Sequence, residues 1–359
     1  MKILYGVQGT GNGHIGRARV MAQAFSRAGA KVDFLLSGRA KDQYFSMEAF
    51  GDYQTRRGLT FHTQQGKVSQ WQTLRQNNSL QLWQDIKQLD LSGYDVLLND
   101  FEPVTAWAAR RQGLMSIGIS HQNAFRYAVP KIQCNWLDEK IMQYFAPTQQ
   151  HIGLHWHHYQ QPILPPIVAV NDKAHYQTSA MPANASHYLV YLPFESLEDI
   201  RALLSQAPAQ SFICYHPQVQ QAHQLDNMQF QPLSFKAFQA DLHSCSGVVA
   251  NGGFELPSEA MTMGKKLLLK PLQGQFEQHS NVTTLLQLGL ASEMRQLDGA
   301  KLTAWLAQPA AEKVHFPDVA GALVDWVLSG NWQDSRSLTQ LREQLWQQVR
   351  YPAYATLPV

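Results

Sequence analysis

The sequence predicts an α/β protein built from two doubly wound, parallel-sheet domains. Three observations carry this prediction. The chain has 359 residues, more than one ordinary domain holds. Short apolar runs bounded by glycine alternate with stretches of helical apolar spacing, first over 1–120 and again over 187–271. Between the two series stands "QPILPPIVAVND" (161–172), where Pro162, Pro165 and Pro166 make a stiff, extended connector. The expected organisation is therefore an amino-terminal domain over 1–161, a link over 162–172, a carboxyl-terminal domain over 173–335, and a closing helix and tail over 336–359.

Each element has its own signal. "KILYGV" (2–7) is a buried strand. The stretch after it places Ile15, Ala18, Val20, Ala22, Phe25 and Ala28 near helical spacing and stops at Gly29. "KVDFLLSG" (31–38) is the next strand, so the unit is β-α-β and its strands are parallel. A Gln-rich helix is expected within 67–90, a strand over 94–100, a helix over 103–112 and a strand over 114–120. The second series reads strand 187–194, helix 196–206, strand 210–217, strand and loop 247–253, helix 254–264 and strand 266–271. Leu338, Leu341, Leu345 and Val349 form one stripe of a closing amphipathic helix.

Composition narrows the function. A formal net charge of +2 spread along the chain argues against nucleic acid, which needs a concentrated basic patch. Cys134, Cys214 and Cys245 are far apart and show no zinc spacing, so reduced thiols in a cytoplasmic protein are expected. The start "MKILYGV" has no signal pattern, and no apolar run approaches the ~18 residues of a membrane span. Contact with a membrane face stays open.

Two glycine loops carry the chemistry. Gly11-x-Gly13-x-x-Gly16 lies between strand and helix, where free N–H groups attract phosphate. A dinucleotide site is one reading. The next strand ends "LLSGR" without the acid that would hold a ribose, although Ser37 and Arg39 would suit a 2′-phosphate. Glycines that only permit a tight turn are the plain alternative. His14, in the first helical turn, discriminates. A hydride-transfer site needs no base there, whereas a group that deprotonates an acceptor hydroxyl belongs there. Gly11 and Gly13 would then let the acceptor approach the backbone. A histidine that donates to phosphate or caps a backbone group is the alternative of equal weight.

In the second loop, Asn251-Gly252-Gly253 opens a helix, and Glu255 and Glu259 share one of its faces. Two acids there also suit the helix dipole with no ligand at all. "QGQFEQ" (273–278) ends the following strand with sugar-type donors and acceptors. "NDFEP" (99–103) brings Asp100 and Glu102 to the same rim, to orient His14 or to act as the base themselves, and "SHQN" (120–123) adds His121 as an acceptor contact. Loop acids and a backbone-satisfied histidine are the alternatives. "HIGLHWHHY" (151–159) holds four histidines without a carboxylate or cysteine partner, so an aromatic acceptor wall or interdomain packing is expected rather than a metal.

Asn251-x-Gly253-x5-Glu259, with Pro271 and Glu277-Gln278-x-x-Asn281, resembles the donor site of inverting GT-B glycosyltransferases. The likeness is above all to the peptidoglycan transferase that adds N-acetylglucosamine to a lipid-linked precursor, and to macrolide and plant transferases. The chain also resembles an uncharacterised prokaryotic group labelled glycosyltransferases. The resemblance implies two Rossmann-like domains facing a central cleft, and a nucleotide diphosphate sugar, UDP-linked, as donor. Asn251 and Glu255 would belong to the donor site. Glu259 would hold the ribose; Gly252, Gly253 and the helix start the diphosphate; Glu277 and Gln278 the sugar hydroxyls. His14 would face a hydroxyl acceptor, lipid- or glycan-linked, at the inner membrane face. Plant members carry His where Asn251 stands, and the peptidoglycan enzyme carries Gln where Glu277 stands, so the sugar stays open. No Asp-x-Asp pair and no Glu-x7-Glu occurs, so a metal-independent, inverting hexosyltransferase without a cofactor is expected. An epimerase or hydrolase on the same fold, and a nucleotide-sugar binding protein without turnover, are the alternatives.

Overall fold

The computed structural model describes residues 1–59, 63–64, 67–68, 79–169 and 187–358. In the amino-terminal lobe the strands are β1 (Ile3–Gln8), β2 (Val32–Ser37), β3 (Gln54–Arg56), a small hairpin β4 (Thr63–Gln64) and β5 (Lys67–Val68), β6 (Val96–Asp100), β7 (Ser116–Ser120), β8 (Gln150–Leu154) and β9 (Ile163–Leu164). Outside the hairpin they form one seven-stranded sheet in the order β3-β2-β1-β6-β7-β8-β9, parallel throughout. Its helices are α1 (Asn12–Arg27), α2 (Ser79–Gln88), α3 (Pro103–Gln112) and α4 (Trp136–Tyr144).

The carboxyl-terminal lobe repeats the plan. Its strands are β10 (His187–Tyr191), β11 (Ser211–Tyr215), β12 (His223–Leu225), β13 (Met228–Gln231), β14 (Gly247–Asn251), β15 (Lys266–Lys270) and β16 (Ser292–Glu293). Their order is β12-β13-β11-β10-β14-β15-β16, with only β12 and β13 antiparallel. The helices are α5 (Leu197–Leu204), α6 (Phe235–Ser244), α7 (Glu255–Thr262), α8 (Phe276–Gln287), α9 (Gly299–Leu306), α10 (Val319–Ser329) and α11 (Ser335–Gln348).

β1, β6, β7, β14 and β15 are buried along their whole length, as parallel strands covered on both faces must be, which is why their centres read as short apolar runs with polar residues only at the ends. α1 lays Ile15, Ala18, Met21, Ala22 and Phe25 on the sheet, and Gly29 ends it at φ +68°. Of the Gln-rich helix expected within 67–90, residues 79–88 are helical, 67–68 are strand, and 69–78 lie outside the described residues. The expected link behaves differently from its proline pattern. Residues 163–164 pair in parallel with β8 as the sheet's last strand, and 170–172 lie outside the described residues. An edge strand tolerates Pro162 at its entry.

In each sheet the strand order reverses at one place, between β1 and β6 and between β10 and β14. Crevices at such switch points are where open α/β sheets bind ligands. After the second sheet the chain returns to the first lobe. α10 packs on α1, and Trp346 of α11 donates from Nε1 to the Ile163 carbonyl at 2.7 Å. Among the described residues no helix is long and apolar enough to cross a membrane.

Candidate active site

The two switch points open onto one cleft of about 1160 Å³. On the amino-terminal wall, β1 leads into α1 through Gly9–Gly11. Glycine is required at Gly9, where a Cβ would come within 2.1 Å of Tyr44 Oη and 2.8 Å of the Ser37 carbonyl. Gly11 precedes α1 without a side-chain cap, so the first N–H groups of the helix have no intrahelical partner at the cleft. His14 sits in that first turn. Its Nδ1 lies 2.7 Å from Asp100 Oδ1, at the carboxyl end of the adjacent strand β6. Arg17 Nη2 lies 3.2 Å from the same Nδ1, but Asp100 is held ionised and can only accept, so Nδ1 carries the hydrogen and Nε2 is left as the ring's acceptor atom.

Asp100 is fully buried. Burial pushes its carboxyl up, but Arg17 and His14 beside it outweigh that and hold it below the usual range. Arg17 Nε donates to Asp100 Oδ2 at 2.8 Å and Nη2 to Oδ1 at 2.7 Å. Its Nη1 pairs with Glu255 of the other lobe. Arg17 escaped the sequence expectations. The available signal was its place three residues after His14, on the same helical face.

Glu102 corrects an expectation. Its carboxylate is fully buried and accepts from Ser37 Oγ (2.6 Å), Val104 N (2.7 Å), Thr105 N (2.7 Å) and Thr105 Oγ (2.6 Å). It caps α3 and does not reach the cleft, so it is neither base nor orienter. Between the two acids Phe101 holds φ +53°, which turns Asp100 and Glu102 to different partners. The 2′-phosphate reading loses its residues as well. Ser37 Oγ donates to Glu102, and Arg39 donates to the Thr10 carbonyl and Asn12 Oδ1, both at 3.0 Å.

On the opposite wall, Asn251 Nδ2 donates to the Lys270 carbonyl at 3.0 Å, while its buried Oδ1 has no hydrogen-bond partner. Gly252 allows close approach to α8: a Cβ there would lie 2.8 Å from the Gln278 carbonyl and 2.8 Å from Val282 Cγ2. Gly253 faces open space, with nothing within 4 Å of an added Cβ. The expected diphosphate contact from these two glycines is corrected. The Gly252 N–H donates to Gln278 Oε1 (3.1 Å) and the Gly253 N–H to the Asn251 carbonyl (2.9 Å). The N–H groups left without a side-chain cap are those at the start of α7, after Phe254.

Gln278 lines the cleft, and its Oε1 also accepts from Leu272 N at 3.0 Å, so this oxygen ties the glycine turn to the loop after β15. Glu277 lines the cleft and accepts from Gln122 Nε2 of the other lobe at 3.1 and 3.2 Å. Glu259 lines it too, held by Gln239 Nε2 at 3.0 Å, and burial raises its carboxyl. Glu255 does not stand free for a donor. It reaches Arg17, and Gly13 makes room for it, since a Cβ on Gly13 would lie 3.0 Å from Glu255 Cγ. Burial lifts its carboxyl to about 8, against the pull of Arg17.

His121 lines the cleft and clamps the two lobes together. Its ring nitrogens lie 2.8 Å from the Leu154 carbonyl and 2.7 Å from Asn281 Oδ1, and the ring stacks on Phe254 at 3.9 Å. Burial lowers its pKa. The histidine-rich run beside it packs the lobes together, with fully buried Trp156 donating from Nε1 to Ser258 Oγ at 2.8 Å. Among the described residues no cluster of three His, Cys, Asp or Glu side chains could hold a metal ion.

Residues 1–309 match the family described as Glycosyl transferase family 1. No curated protein matches the sequence. Among solved structures, the chain is similar to the glycotransferase of kitacinnamycin, at 16% identity and TM-score 0.56 over 97% of this chain and 95% of that one. It is similar to SnogD from Streptomyces nogalater, at 13% identity and TM-score 0.55 over 97% and 96%. Arabidopsis thaliana UGT89C1 complexed with quercetin is 14% identical, with TM-score 0.58 over 97% and 99%. These likenesses show the GT-B fold of two Rossmann-like domains. They do not single out the peptidoglycan transferase that the donor-site pattern brought forward.

Proposed function

The chain belongs to glycosyl transferase family 1, and on that premise we propose that it moves a hexosyl unit from a UDP-linked sugar to a hydroxyl of an apolar acceptor, with inversion and without a metal. One observation carries this reading: His14, held from behind by buried Asp100, and the uncapped start of α7 line the same cleft from opposite lobes.

The chemistry follows from the parts. His14 Nε2 takes the proton of the acceptor hydroxyl as its oxygen attacks the anomeric carbon. The bond from that carbon to the diphosphate breaks, and its electron pair leaves on the phosphate oxygen. The α7 start offers N–H groups and about half a positive charge to that leaving group. Glu259 holds the ribose hydroxyls and Glu277 the sugar. Asn251 Oδ1, buried and unpartnered, fits a donor hydroxyl. Phe101, Leu137, Ile141 and Phe145 give the acceptor side an apolar wall. Beside it Trp83 and Trp136 stand exposed, with Lys87 over the Trp83 ring at 3.3 Å, which favours an acceptor presented at a lipid surface. The unpaired cysteines suit a cytoplasmic setting.

The test is a panel of UDP-sugars in thermal shift, since a ligand of the native state raises stability. Turnover of the binding sugar follows, with the anomeric configuration of the product read by NMR. The reading expects UDP release only with acceptor and an inverted product. Release without acceptor marks a hydrolase, interconversion of the donor an epimerase, and binding with no turnover a sensor.

A further inference from the structure

Arg17 has no part in the roles just described. It is 2% exposed, one of the side chains that α1 buries along with Ile15, Ala18 and Met21. Two of its nitrogens take both oxygens of Asp100, at 2.8 and 2.7 Å. The third meets Glu255 across the cleft. Asp100 Oδ1 is the same atom that receives His14 Nδ1–H. Glu255 is the first residue of α7, so it is rigidly attached to the N–H groups that face the leaving diphosphate. One planar side chain therefore touches the group that orients the base and the helix that cradles the leaving group.

Stability is a weak reason for this arrangement. A buried ion pair seldom does better than apolar residues of the same volume. Lysine would supply the charge, but a single ammonium cannot fork to both oxygens of one carboxylate and still reach a second acid. We propose that Arg17 is a positioning residue for the transfer: through Glu255 it sets the His14–Asp100 pair in register with the start of α7. This rests on the transferase reading. Glu255 acts through its oxygen, which accepts from Nη1 whether or not the carboxyl is ionised.

The experiment uses the full chain and the UDP-sugar that turns over. Arg17→Lys, Glu255→Ala and the double variant are compared by kcat, donor KM and the Kd of UDP from titration calorimetry. Arg17→Lys is expected to lower kcat by about 30-fold or more and Glu255→Ala by about 5–10-fold, with UDP Kd within about threefold. The double variant should be no worse than Arg17→Lys alone, because the two lie on one line of action. Glu255→Gln keeps an oxygen for Nη1 and should recover most of what Glu255→Ala loses. Multiplying losses in the double variant, losses confined to KM and UDP Kd, or no recovery by Gln each overturn the proposal. If Arg17→Lys does not fold, the Ala and Gln variants at 255 decide alone. A wild-type chain that neither binds UDP nor moves sugar overturns the transferase reading, and this inference with it. A wild-type chain that turns over, with all variants equal to it, overturns only the role of Arg17.

Discussion

The loop after β1 and the loop after β14 both run through glycines into a helix whose first turn has no side-chain cap, yet their surroundings differ. Around the first stand ionisable groups, His14, Arg17 and Asp100, each bonded to another. The glycine turn of the second is held by neutral amides. Gln278 accepts from Gly252 N, and Asn281 Nδ2 donates to the Gly252 carbonyl at 3.0 Å. In the proposed reading, the same β-loop-α unit becomes a proton-handling wall in one lobe and a shaped anion cradle in the other. The helix start is common to both, and the side chains packed against each turn make the difference, Asp100 from β6 in the first and Gln278 and Asn281 from α8 in the second.

If the walls divide the work in this way, the largest effect should come from the first one. His14→Ala is expected to lower kcat by about 10²–10⁴-fold, the usual range for a general base, and to leave the UDP Kd within about threefold. Asp100→Asn keeps the volume but loses the carboxylate that fixes the ring's tautomer, so kcat should fall by about 10²-fold or more. A steady-state and calorimetric comparison checks both. A His14→Ala protein that keeps its kcat and loses UDP would reverse the assignment of the two walls.

The adjacent glycines of the second loop sharpen the contrast. Gly253→Ala places a methyl group into open cleft, so donor KM should rise by about tenfold, the equivalent of about 1.4 kcal/mol, with the melting temperature unchanged. Gly252→Ala drives a methyl group against the Gln278 carbonyl and Val282, and should cost about 1–3 kcal/mol of stability, seen as a lower melting temperature. Equal thermal losses at both positions would mean that Gly253, too, is structural.

Much of this was legible in the chain, for reasons that can be named. β1, β6, β14 and β15 are covered on both faces, so their centres read as short apolar runs, and His14 and Glu259 fall just beyond them. β9 was hidden, because prolines read as a linker while an edge strand accepts them. Asp100 and Glu102, two apart, would share a face if the strand continued, and only the φ of +53° at Phe101 breaks that alternation. Arg17 reads as a solvated helix charge because its partners lie 83 and 238 residues away. His121 and Gln278 were hidden likewise, since a loop amide or imidazole shows nothing of the distant group that will satisfy it.

The smallest expected effect concerns Glu255, the acid that meets Arg17 across the cleft. Burial raises its carboxyl to about 8; Arg17 pulls it down, while Asp100, Glu259 and Glu277 add to the rise. The unfolded chain releases this proton near the ordinary value of about 4.3. Between those values the native state holds a proton that the unfolded state has lost. Stability linked to Glu255 is therefore full below the lower value, declines as pH rises through the window, and levels off above about 8. Glu255→Gln has no proton to lose, and the titrations of groups remote from position 255 are common to both proteins. The melting temperature of the variant minus that of the wild type should then climb from about pH 5 to about pH 8 and flatten beyond. A difference that is constant across this range would mean that Arg17 keeps Glu255 ionised throughout, so that the charged network of the first wall extends unbroken into the second.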